Sequence, residues 1–432
     1  MYWEKEIETL DREQLTQLQS KRLQETMQRA SKTSYYKKLF EQLHIQPEKI
    51  STLKDLQNIP PTTKEDLRSG FPYGFLATPL EEVVRLHSSS GTTGVPAIIY
   101  HSVSDINSWS NLVARSLYGV GVRKNDIFQN MMSYGLFTGG LGMHYGAEKI
   151  GTLVIPIAAG NSKRQIWFLK NFQTTVIHII PSYALLLSNL IKSEGLDSSR
   201  DLNLKIMLIG AEPHSEETRQ RIEELYQAKA FNSYGLSEMN GPGVAFECAY
   251  QNGLHVWEDA YFLEIVNPKT LEPCPAGELG EMILTNLNRQ ATPILRYRTK
   301  DLAYWIDEPC PCGRTHYRIS RIQGRTDDMF IYHGVNIFPI QIDKVLMNNP
   351  EVGSNYLITL ERKDLRDTMK VEIEIKPELF IGDLPKLERL RERIQAEIRS
   401  ETLVTPEITL VEPGTLPTTE GKAVRVVDKR QL

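Results

Sequence analysis

Short apolar runs alternate with amphipathic segments in the middle of the chain. Residues 153–156, 176–180 and 206–209 are continuous apolar runs, while 183–191 and 215–225 repeat apolar residues at helical spacing. Continuous apolar strands separated by helices are typical of a sheet that is covered on both faces. We therefore predict α/β sheets in a large N-terminal domain, with ligands bound at the carboxyl ends of the strands.

The pattern changes towards both ends of the chain. Residues 11–43 carry apolar residues in a largely helical pattern among many charges. From about Tyr261, alternating segments with Gly-rich turns predict a β-rich subdomain. Residues 371–375 alternate strictly and 384–398 repeat at helical spacing, which predicts a small α+β domain at the C-terminus. We place the boundary at Asp327, so that the two predicted domains are 1–326 and 327–432.

A loop rich in hydroxyl groups lies between two short apolar runs, residues 83–86 and 96–100. Glycines let the backbone approach a ligand closely, and N–H and O–H groups are donors for phosphate oxygens. We interpret the loop as a phosphate-binding loop, with an ordinary polar turn as the alternative. Because Val95 and Pro96 follow where a Walker A loop has Lys and Ser or Thr, the positive charge must come from elsewhere. The members of this hydroxyl loop are Ser88, Ser89, Ser90, Gly91, Thr92, Thr93 and Gly94.

Composition and charge narrow the class of protein. The net charge is −4 and there is no basic stripe, which argues against nucleic acid or an anionic membrane as a partner. The charged N-terminus does not resemble a signal peptide, and no apolar run is long enough to predict a membrane span. Four cysteines in 432 residues do not form a disulfide scaffold. We expect a cytoplasmic globular protein.

Five further motifs follow the hydroxyl loop in order. They are Gly210-Ala211-Glu212-Pro213, Tyr234-Gly235-Leu236-Ser237-Glu238, Arg296-Tyr297-Arg298-Thr299-Lys300-Asp301, Gly324-Arg325-Thr326-Asp327-Asp328 and Glu420-Gly421-Lys422-Ala423. In this order and at these spacings, the set resembles the adenylate-forming acyl-CoA ligase superfamily. Within that superfamily the resemblance is closest to phenylacetate–CoA ligases. The stretches that carry it are residues 134–142, 238–244, 325–331 and 334–339.

The resemblance implies an ATP-dependent aryl-acid–CoA ligase with a mobile C-terminal domain. Such an enzyme adenylates an arylacetic acid with release of pyrophosphate, and then transfers the acyl group to CoA with release of AMP. It implies that Lys422 bridges the α-phosphate region and the attacking carboxylate. It also implies that Glu238 binds Mg²⁺, which prefers carboxylate and phosphate oxygens. The implied small molecules are therefore ATP, Mg²⁺, CoA and an aromatic carboxylic acid.

Other residues match positions that bind the nucleotide or the acid in this family. Tyr234 would stack on adenine, Asp301 would accept hydrogen bonds from both ribose hydroxyls, and Asp327 would be the hinge. The nucleotide set also contains the hydroxyl loop and Gly210, Ala211, Glu212, Pro213, Ser233, Gly235 and Arg325. For the acid, the candidate wall residues are Tyr134, Phe137, Pro181, Tyr183 and Ala211, with plain core residues as the alternative.

Three of the four cysteines fall in a pattern that favours a metal site. Cys248 precedes His255 by seven residues, and Cys310 and Cys312 lie in a Pro/Gly turn. Two close pairs of soft ligands match a tetrahedral structural zinc site, which has no open position for catalysis. The alternative is three small buried cysteines and a surface histidine. Cys274 has no partner by spacing, and we expect a free thiol there.

Two positions depart from the family pattern and leave rival interpretations open. Val95 stands where the phosphate loop commonly has Lys, and His333 stands where a basic residue is usual. These departures are compatible with another aromatic acid, or with adenylation without CoA, as in relatives that adenylate a deazaflavin cofactor. A non-catalytic nucleotide-binding regulator is the alternative from a different class, although it would have no need of Lys422. The oligomeric state is also open, and compact members of the family often form homodimers.

Overall fold

The structure is a computed structural model, and it describes residues 1–89, 95–363, 366–379, 384–417 and 422–430. The α-helices in this part of the chain are α1 (Lys5–Glu8), α2 (Arg12–Ala30), α3 (Ser34–Gln42), α4 (Lys64–Ser69), α5 (Val103–Gly119), α6 (Thr138–Ile150), α7 (Ser162–Asn171), α8 (Pro181–Ser193), α9 (Ser198–Asp201), α10 (Glu216–Tyr226), α11 (Pro339–Asn348) and α12 (Leu384–Thr402). Among these described helices, none has both the length and the apolar surface needed to cross a membrane.

The β-strands are short except near the C-terminus. They are β1 (Val83–Ser88), β2 (Ile98–Ser102), β3 (Ile127–Asn130), β4 (Leu153–Ile155), β5 (Val176–Ile179), β6 (Ile206–Gly210), β7 (Lys229–Tyr234), β8 (Ala245–Glu247), β9 (Leu254–Val256), β10 (Tyr261–Val266), β11 (Gly280–Asn286), β12 (Tyr297–Ala303), β13 (Trp305–Ile306), β14 (Arg318–Ile319), β15 (Gly324–Arg325), β16 (Phe330–Tyr332), β17 (Val335–Ile337), β18 (Val352–Lys363), β19 (Arg366–Ile375), β20 (Glu407–Val411) and β21 (Val426–Asp428).

The chain divides into two compact units, which are described separately. Unit 1 contains Met1–Ala158, Thr174–His178 and Phe231–Arg321, and unit 2 contains Ala159–Gln173, Ile179–Ala230 and Ile322–Leu432.

Unit 1 contains two of the three predicted apolar strands, β4 and β5, and β6 lies in unit 2. β3 pairs in parallel with β4 and with β5, and all four residues of β5 are buried. β7, β8, β9, β14 and β13 follow one another as antiparallel neighbours. Helices α5 and α6 pack against each other and against β8 and β3 respectively. The mixed α/β prediction is therefore confirmed.

Two antiparallel arrangements complete unit 1. β10, β11 and β12 pair in sequence order, which confirms the β-rich subdomain predicted from about Tyr261. β1 pairs with β2, so the hydroxyl loop does connect two strands as predicted. Ser88 ends β1 and Ser89 follows it, whereas Ser90, Gly91, Thr92, Thr93 and Gly94 lie outside the described residues.

Unit 2 contains a four-stranded sheet formed by the C-terminal region. β18 and β19 are antiparallel, while β21 lies parallel to β18 and β20 lies parallel to β19. Helix α12 packs on β20 and α11, and α11 packs on α10. The apolar residues Leu390, Ile394 and Ile398 form the buried stripe of α12, so the predicted α+β region is confirmed. The predicted boundary between domains 1–326 and 327–432 at Asp327 stays a prediction.

Candidate active site

The start of the hydroxyl loop contacts the segment that follows β3. The backbone N–H of Ser88 donates to the carbonyl oxygen of Leu136 at 3.1 Å, and Ser88 and Ser89 are both buried. Leu136 lies between the predicted acid-wall residues Tyr134 and Phe137. Unit 1 therefore brings the described end of the predicted phosphate loop next to two residues of the predicted acid pocket.

A chain of hydrogen bonds holds the hydroxyl of Tyr134. Asn130 donates from Nδ2 to this oxygen at 2.9 Å, and Nδ1 of His144 lies 3.2 Å from it. Nε2 of His144 in turn lies 3.0 Å from Oε1 of Glu148, one turn further along α6. On the other side, His178 Nδ1 lies 3.1 Å from Asn130 Oδ1. Burial raises the pKa of Tyr134 to about 12 and lowers that of His178 to about 3, so both groups are neutral near pH 7.

The predicted adenine and ribose residues meet directly. Tyr234 ends β7 and donates from its hydroxyl to Oδ2 of Asp301, in β12, at 2.7 Å. Both side chains are buried. Ser233 and Gly235 flank the tyrosine, and Ser233 is paired across the sheet with Phe246 of β8. Two residues that are 67 positions apart in sequence are thus held in one hydrogen-bonded pair.

Glu238 lies in the turn Ser237–Met239, shortly after β7. It is 5 % exposed, and its Oε1 lies 4.0 Å from Nζ of Lys64. Its carbonyl oxygen accepts a hydrogen bond from Nη1 of Arg289 at 2.7 Å, so a buried guanidinium fixes the backbone of the turn. Sequence reasoning missed Lys64 and Arg289, because neither belongs to a motif that contains Glu238.

Two glycines allow the backbone of this turn to fold on itself. A Cβ atom on Gly235 would lie 2.5 Å from Cα of Gly241. A Cβ atom on Gly241 would lie 2.5 Å from the backbone nitrogen of Leu236. Because a side chain cannot occupy such distances, the close approach requires glycine at both positions.

In unit 2, the motif at residues 210–213 contacts the segment after Lys422. Glu212 accepts a hydrogen bond from the N–H of Ser182 at 2.6 Å through Oε1, and one from the N–H of Ala423 at 3.3 Å through Oε2. Removal from water raises the pKa of Glu212. A cleft of about 460 Å³ adjoins this contact, and its lining includes Pro181, Glu212, Pro213, Asp327 and Ala423.

Three other predicted residues lie around β6. Gly210 ends this strand, and Ala211 follows in the left-handed region with φ of 68°. Tyr183 in α8 is buried, and its hydroxyl lies 2.9 Å from Oγ of Ser162.

Arg325 and Asp327 form an ion pair at the predicted hinge. Nε of Arg325 donates to Oδ1 of Asp327 at 2.9 Å, and Nη2 donates to Oδ2 at 3.2 Å. Partial burial raises the pKa of the neighbouring Asp328, while the charges of Arg325 and Lys422 oppose that shift. Lys422 itself is exposed, and Glu420 and Gly421 of its motif lie outside the described residues.

Val95 and His333, the two residues that depart from the family pattern, are both exposed to solvent. Val95 is 47 % exposed. His333 occupies the turn between β16 and β17 with φ of 50°, and its ring stacks on Tyr332 with centroids 4.1 Å apart. Its neighbours in a shallow groove include Arg362 and Arg366.

The four predicted zinc ligands converge in unit 1. Their ligand atoms all lie within 4.8 Å of one another, with Cys248 Sγ 3.6 Å from Cys310 Sγ and Cys312 Sγ 3.4 Å from His255 Nε2. Cys274 lies outside this group, as predicted. Hydrogen bonds from Cys248 and His255 lower the pKa of Cys312.

Further contacts orient these ligands. Nδ1 of His255 lies 3.3 Å from the carbonyl oxygen of His316, which leaves Nε2 facing the sulfurs. The hydroxyl of Tyr2 donates to the carbonyl oxygen of Cys312 at 2.7 Å, and the N–H of Arg314 points at Cys312 Sγ from 3.5 Å. Partners of this kind fix the orientation of metal ligands. These contacts were not predicted, because Tyr2 comes from the N-terminus, and Arg314 and His316 lie in the irregular segment between Cys312 and β14.

Family models, a relative and solved structures match most or all of the chain. Residues 14–288 match the family described as AMP-binding enzyme, and residues 334–430 match the AMP-binding enzyme C-terminal domain. A phenylacetate–coenzyme A ligase from Thermus thermophilus is 40 % identical, with all of both chains covered. A solved 2-hydroxyisobutyryl-CoA ligase in the postadenylation state is 27 % identical with a TM-score of 0.94, covering 100 % of this chain and 93 % of that one. The same ligase in its thioesterification state matches with a TM-score of 0.74, at 29 % identity and with the same coverage of both chains. The resemblance inferred from the motifs is therefore confirmed, and the chain belongs to the phenylacetate–CoA ligase family of AMP-binding enzymes.

Proposed function

We propose that the chain is an ATP-dependent ligase that joins an arylacetic acid to CoA. The acid is first adenylated with release of pyrophosphate, and the acyl group then passes to CoA with release of AMP. The name and full-length match of the Thermus thermophilus relative support this substrate class. The observation that carries the proposal is the hydrogen bond from Ala423 to Glu212, because it holds the neighbour of Lys422 against the predicted nucleotide motif.

In the first half-reaction, a carboxylate oxygen attacks the α-phosphorus while the bond to pyrophosphate breaks. A carboxylate is a weak nucleophile, so catalysis depends on positioning and on neutralising charge in the transition state. Lys422 supplies a positive charge that bridges the α-phosphate and the attacking carboxylate. The hydroxyl loop holds the β- and γ-phosphates through its N–H and O–H donors.

The nucleoside is held by aromatic stacking and by a carboxylate. The ring of Tyr234 stacks on adenine, and the motif at residues 210–213 forms the opposite wall. Asp301 accepts hydrogen bonds from the ribose hydroxyls, and Arg325 reinforces that end. The 2.7 Å hydrogen bond between Tyr234 and Asp301 supports these roles, because it fixes the ring and the carboxylate relative to each other.

Glu238 is the proposed ligand of Mg²⁺. A buried carboxylate on a rigid turn, paired with Lys64 only at 4.0 Å, fits an ion that prefers carboxylate and phosphate oxygens. When bound, the ion would neutralise charge on the phosphate oxygens. Glu238 and the backbone contact from Arg289 would fix where that charge lies.

The Cys248, His255, Cys310 and Cys312 cluster is the proposed site of a structural zinc ion. Two sulfurs about 2.3 Å from a tetrahedral ion lie about 3.8 Å apart, and a sulfur and a histidine nitrogen lie about 3.5 Å apart. The separations of 3.6 Å between Cys248 and Cys310 and of 3.4 Å between Cys312 and His255 are close to these values. Four protein ligands leave no open coordination position, so this ion would stabilise the fold and take no part in the reaction.

We also propose that residues 327–432 move about Asp327 between the two half-reactions, while residues 1–326 form the adenylation domain. A hinge requires a few residues that absorb a large backbone change. The solved structures of a 2-hydroxyisobutyryl-CoA ligase support this, because that relative is known in a postadenylation state and in a thioesterification state. The contacts of the C-terminal region within unit 2 would then belong to the adenylation half of the cycle.

The proposal is tested by measuring pyrophosphate release from ATP against a panel of aromatic acids, with and without CoA. We expect release with arylacetic acids and formation of the acyl-CoA thioester when CoA is present. Acid-dependent pyrophosphate release with no thioester would favour adenylation for another acceptor. ATP binding without turnover of any acid would favour a non-catalytic regulator.

The cytoplasmic location and the homodimer remain predictions. Cell fractionation and analytical ultracentrifugation of the purified chain test them.

A further inference from the structure

Asp343, on α11, receives four hydrogen bonds. Its Oδ2 accepts from Oγ and from the N–H of Ser215 at 2.7 and 3.3 Å, and from Oγ1 of Thr218 at 2.7 Å. Its Oδ1 accepts from the hydroxyl of Tyr356, in β18, at 3.1 Å. Ser215 is the N-cap of α10, so the carboxylate lies at the positive end of that helix, where negative charge is stabilised.

Tyr356 connects Asp343 to the segment that carries Lys422. The guanidinium of Arg425 lies over the Tyr356 ring, 4.3 Å from its centroid, and Nη1 donates to the Tyr356 carbonyl oxygen at 3.3 Å. β21 follows Arg425 directly and is hydrogen-bonded to β18. Asp343 is therefore connected through Tyr356 to Arg425, three residues after Lys422.

We propose that Asp343 is a positioning residue for the adenylation step. It fastens the C-terminal region to the start of α10, and so keeps Lys422 beside the Glu212 motif. This inference rests on the proposed role of Lys422 in adenylation. A C-terminal region that moved away from α10 for the thioester step would take Asp343 away from both Ser215 and Thr218.

The contacts of Asp343 with α10 differ in free energy between the two states. Hydrogen bonds to an ionised acceptor are stronger than those between neutral groups. A contact shifts a conformational equilibrium only by as much as it favours one state over the other. Asp343 makes its α10 contacts in the arrangement seen here, so its carboxylate selectively stabilises the adenylation arrangement.

The experiment compares the two half-reactions in the full-length Asp343→Ala and Asp343→Asn variants. Adenylation is measured as acid-dependent exchange of pyrophosphate into ATP, and the second step as thioester formation from a synthetic acyl adenylate and CoA. We expect Asp343→Ala to lower the exchange rate about tenfold or more, while the thioester rate stays at the wild-type level or rises. Asp343→Asn, which keeps one acceptor oxygen, should lower the exchange rate by a smaller factor.

Two further variants separate this role from a general loss of folding. Thr218→Val removes one donor to Asp343 but keeps the Ser215 cap, and it should lower exchange selectively by a smaller factor. Glu401→Gln removes a carboxylate of the same region that pairs with Lys344 at 3.0 Å, and it should leave both rates unchanged.

The proposal is overturned if Asp343→Ala leaves exchange unchanged, or if both half-reactions fall by the same factor. Should Asp343→Ala fail to fold, an unchanged exchange rate in Thr218→Val and Asp343→Asn would overturn it equally. A wild-type protein with no acid-dependent exchange would instead contradict the proposed function, and this inference with it. If the wild type shows acid-dependent exchange and the variants exchange at the same rate, the positioning role of Asp343 alone is contradicted.

Discussion

The hydroxyl of Tyr234 and the carboxylate of Asp301 lie 2.7 Å apart, at the ends of a hydrogen bond that connects β7 with β12. The pair places an aromatic face and a hydrogen-bond acceptor at a fixed distance from each other. A nucleoside needs this combination, because its base offers a π-face and its ribose offers two hydroxyl donors.

Asp301→Ala should raise the KM for ATP by about tenfold to a hundredfold with a smaller effect on kcat, since it removes binding that the ground state and transition state share. Steady-state kinetics with varied ATP check this. Tyr234→Phe keeps the ring and removes the hydrogen bond, so its effect on KM should be smaller. An unchanged KM for ATP in Asp301→Ala would contradict the assigned role.

Lys422→Ala should abolish formation of the acyl adenylate and leave thioester formation from preformed adenylate largely intact. The reason is that only the first half-reaction involves attack at the α-phosphorus, where Lys422 is proposed to act, whereas the second breaks the bond between the acyl carbon and the phosphate oxygen. Rapid-quench assays of each half-reaction measure the two rates. Lys429→Ala is the matched control, because this lysine of the same region pairs with Glu361 at 3.0 Å. If both steps fell together, the assigned role of Lys422 would be wrong.

Purified protein should contain about one zinc ion per chain by elemental analysis. Cys312→Ser should lower this content and the melting temperature, because the free energy of metal binding contributes to folding. Cys274→Ser, outside the cluster, should retain the metal. A zinc content near zero in protein prepared without chelators would contradict the structural site.

Arg115→Ala should destabilise the protein by about 3–5 kcal/mol at neutral pH, because it removes the 2.6 Å ion pair of a buried carboxylate and leaves it the weaker pair with Arg22 at 3.4 Å. Arg115 donates from Nη1 to Oδ1 of Asp259 at 2.6 Å, and both side chains are buried. Burial alone would raise the pKa of Asp259, but Arg115 holds it well below the usual range. Urea unfolding at several pH values measures the difference in free energy.

The sign of the pH dependence follows from this lowered pKa. A carboxylate whose pKa is lower in the folded state stabilises the fold above its unfolded pKa of about 4, and this contribution is lost as the pH falls towards the folded pKa. The gap between wild type and Arg115→Ala should therefore be full near pH 7 and shrink below about pH 4. The exposed pair of Arg391 with Glu388 offers a control, since Arg391→Ala should change stability little at either pH. A gap that grew on acidification would contradict this account.

The sequence predicts most of what depends on local pattern. The apolar runs at 176–180 and 206–209 become β5 and β6, and Cys248, Cys310, Cys312 and His255 converge as their spacing predicts. The family resemblance implies that Tyr234 and Asp301 bind the same ligand, and the structure joins the two side chains in one hydrogen bond.

Contacts between distant segments could not be predicted in this way. Asn130 and His144 support Tyr134 because β3 and α6 pack together, and nothing in either segment signals the other. The position of Lys64 near Glu238 likewise depends on how α4 lies against the turn after β7. Nothing in the sequence distinguishes Asp343 from other acidic residues. Its hydrogen bonds with Ser215 and Thr218 depend on the packing of α11 against α10.

The contact between Gly235 and Gly241 has an evolutionary consequence. With only 2.5 Å between a hypothetical Cβ and the facing backbone, these two sites tolerate no substitution that the turn could absorb by rotating a side chain. Homologous sequences should therefore hardly vary at these two positions, whichever acid each enzyme selects. Conservation of these two glycines would reflect the close approach of two backbone segments, and it would carry no information about which acid the enzyme binds.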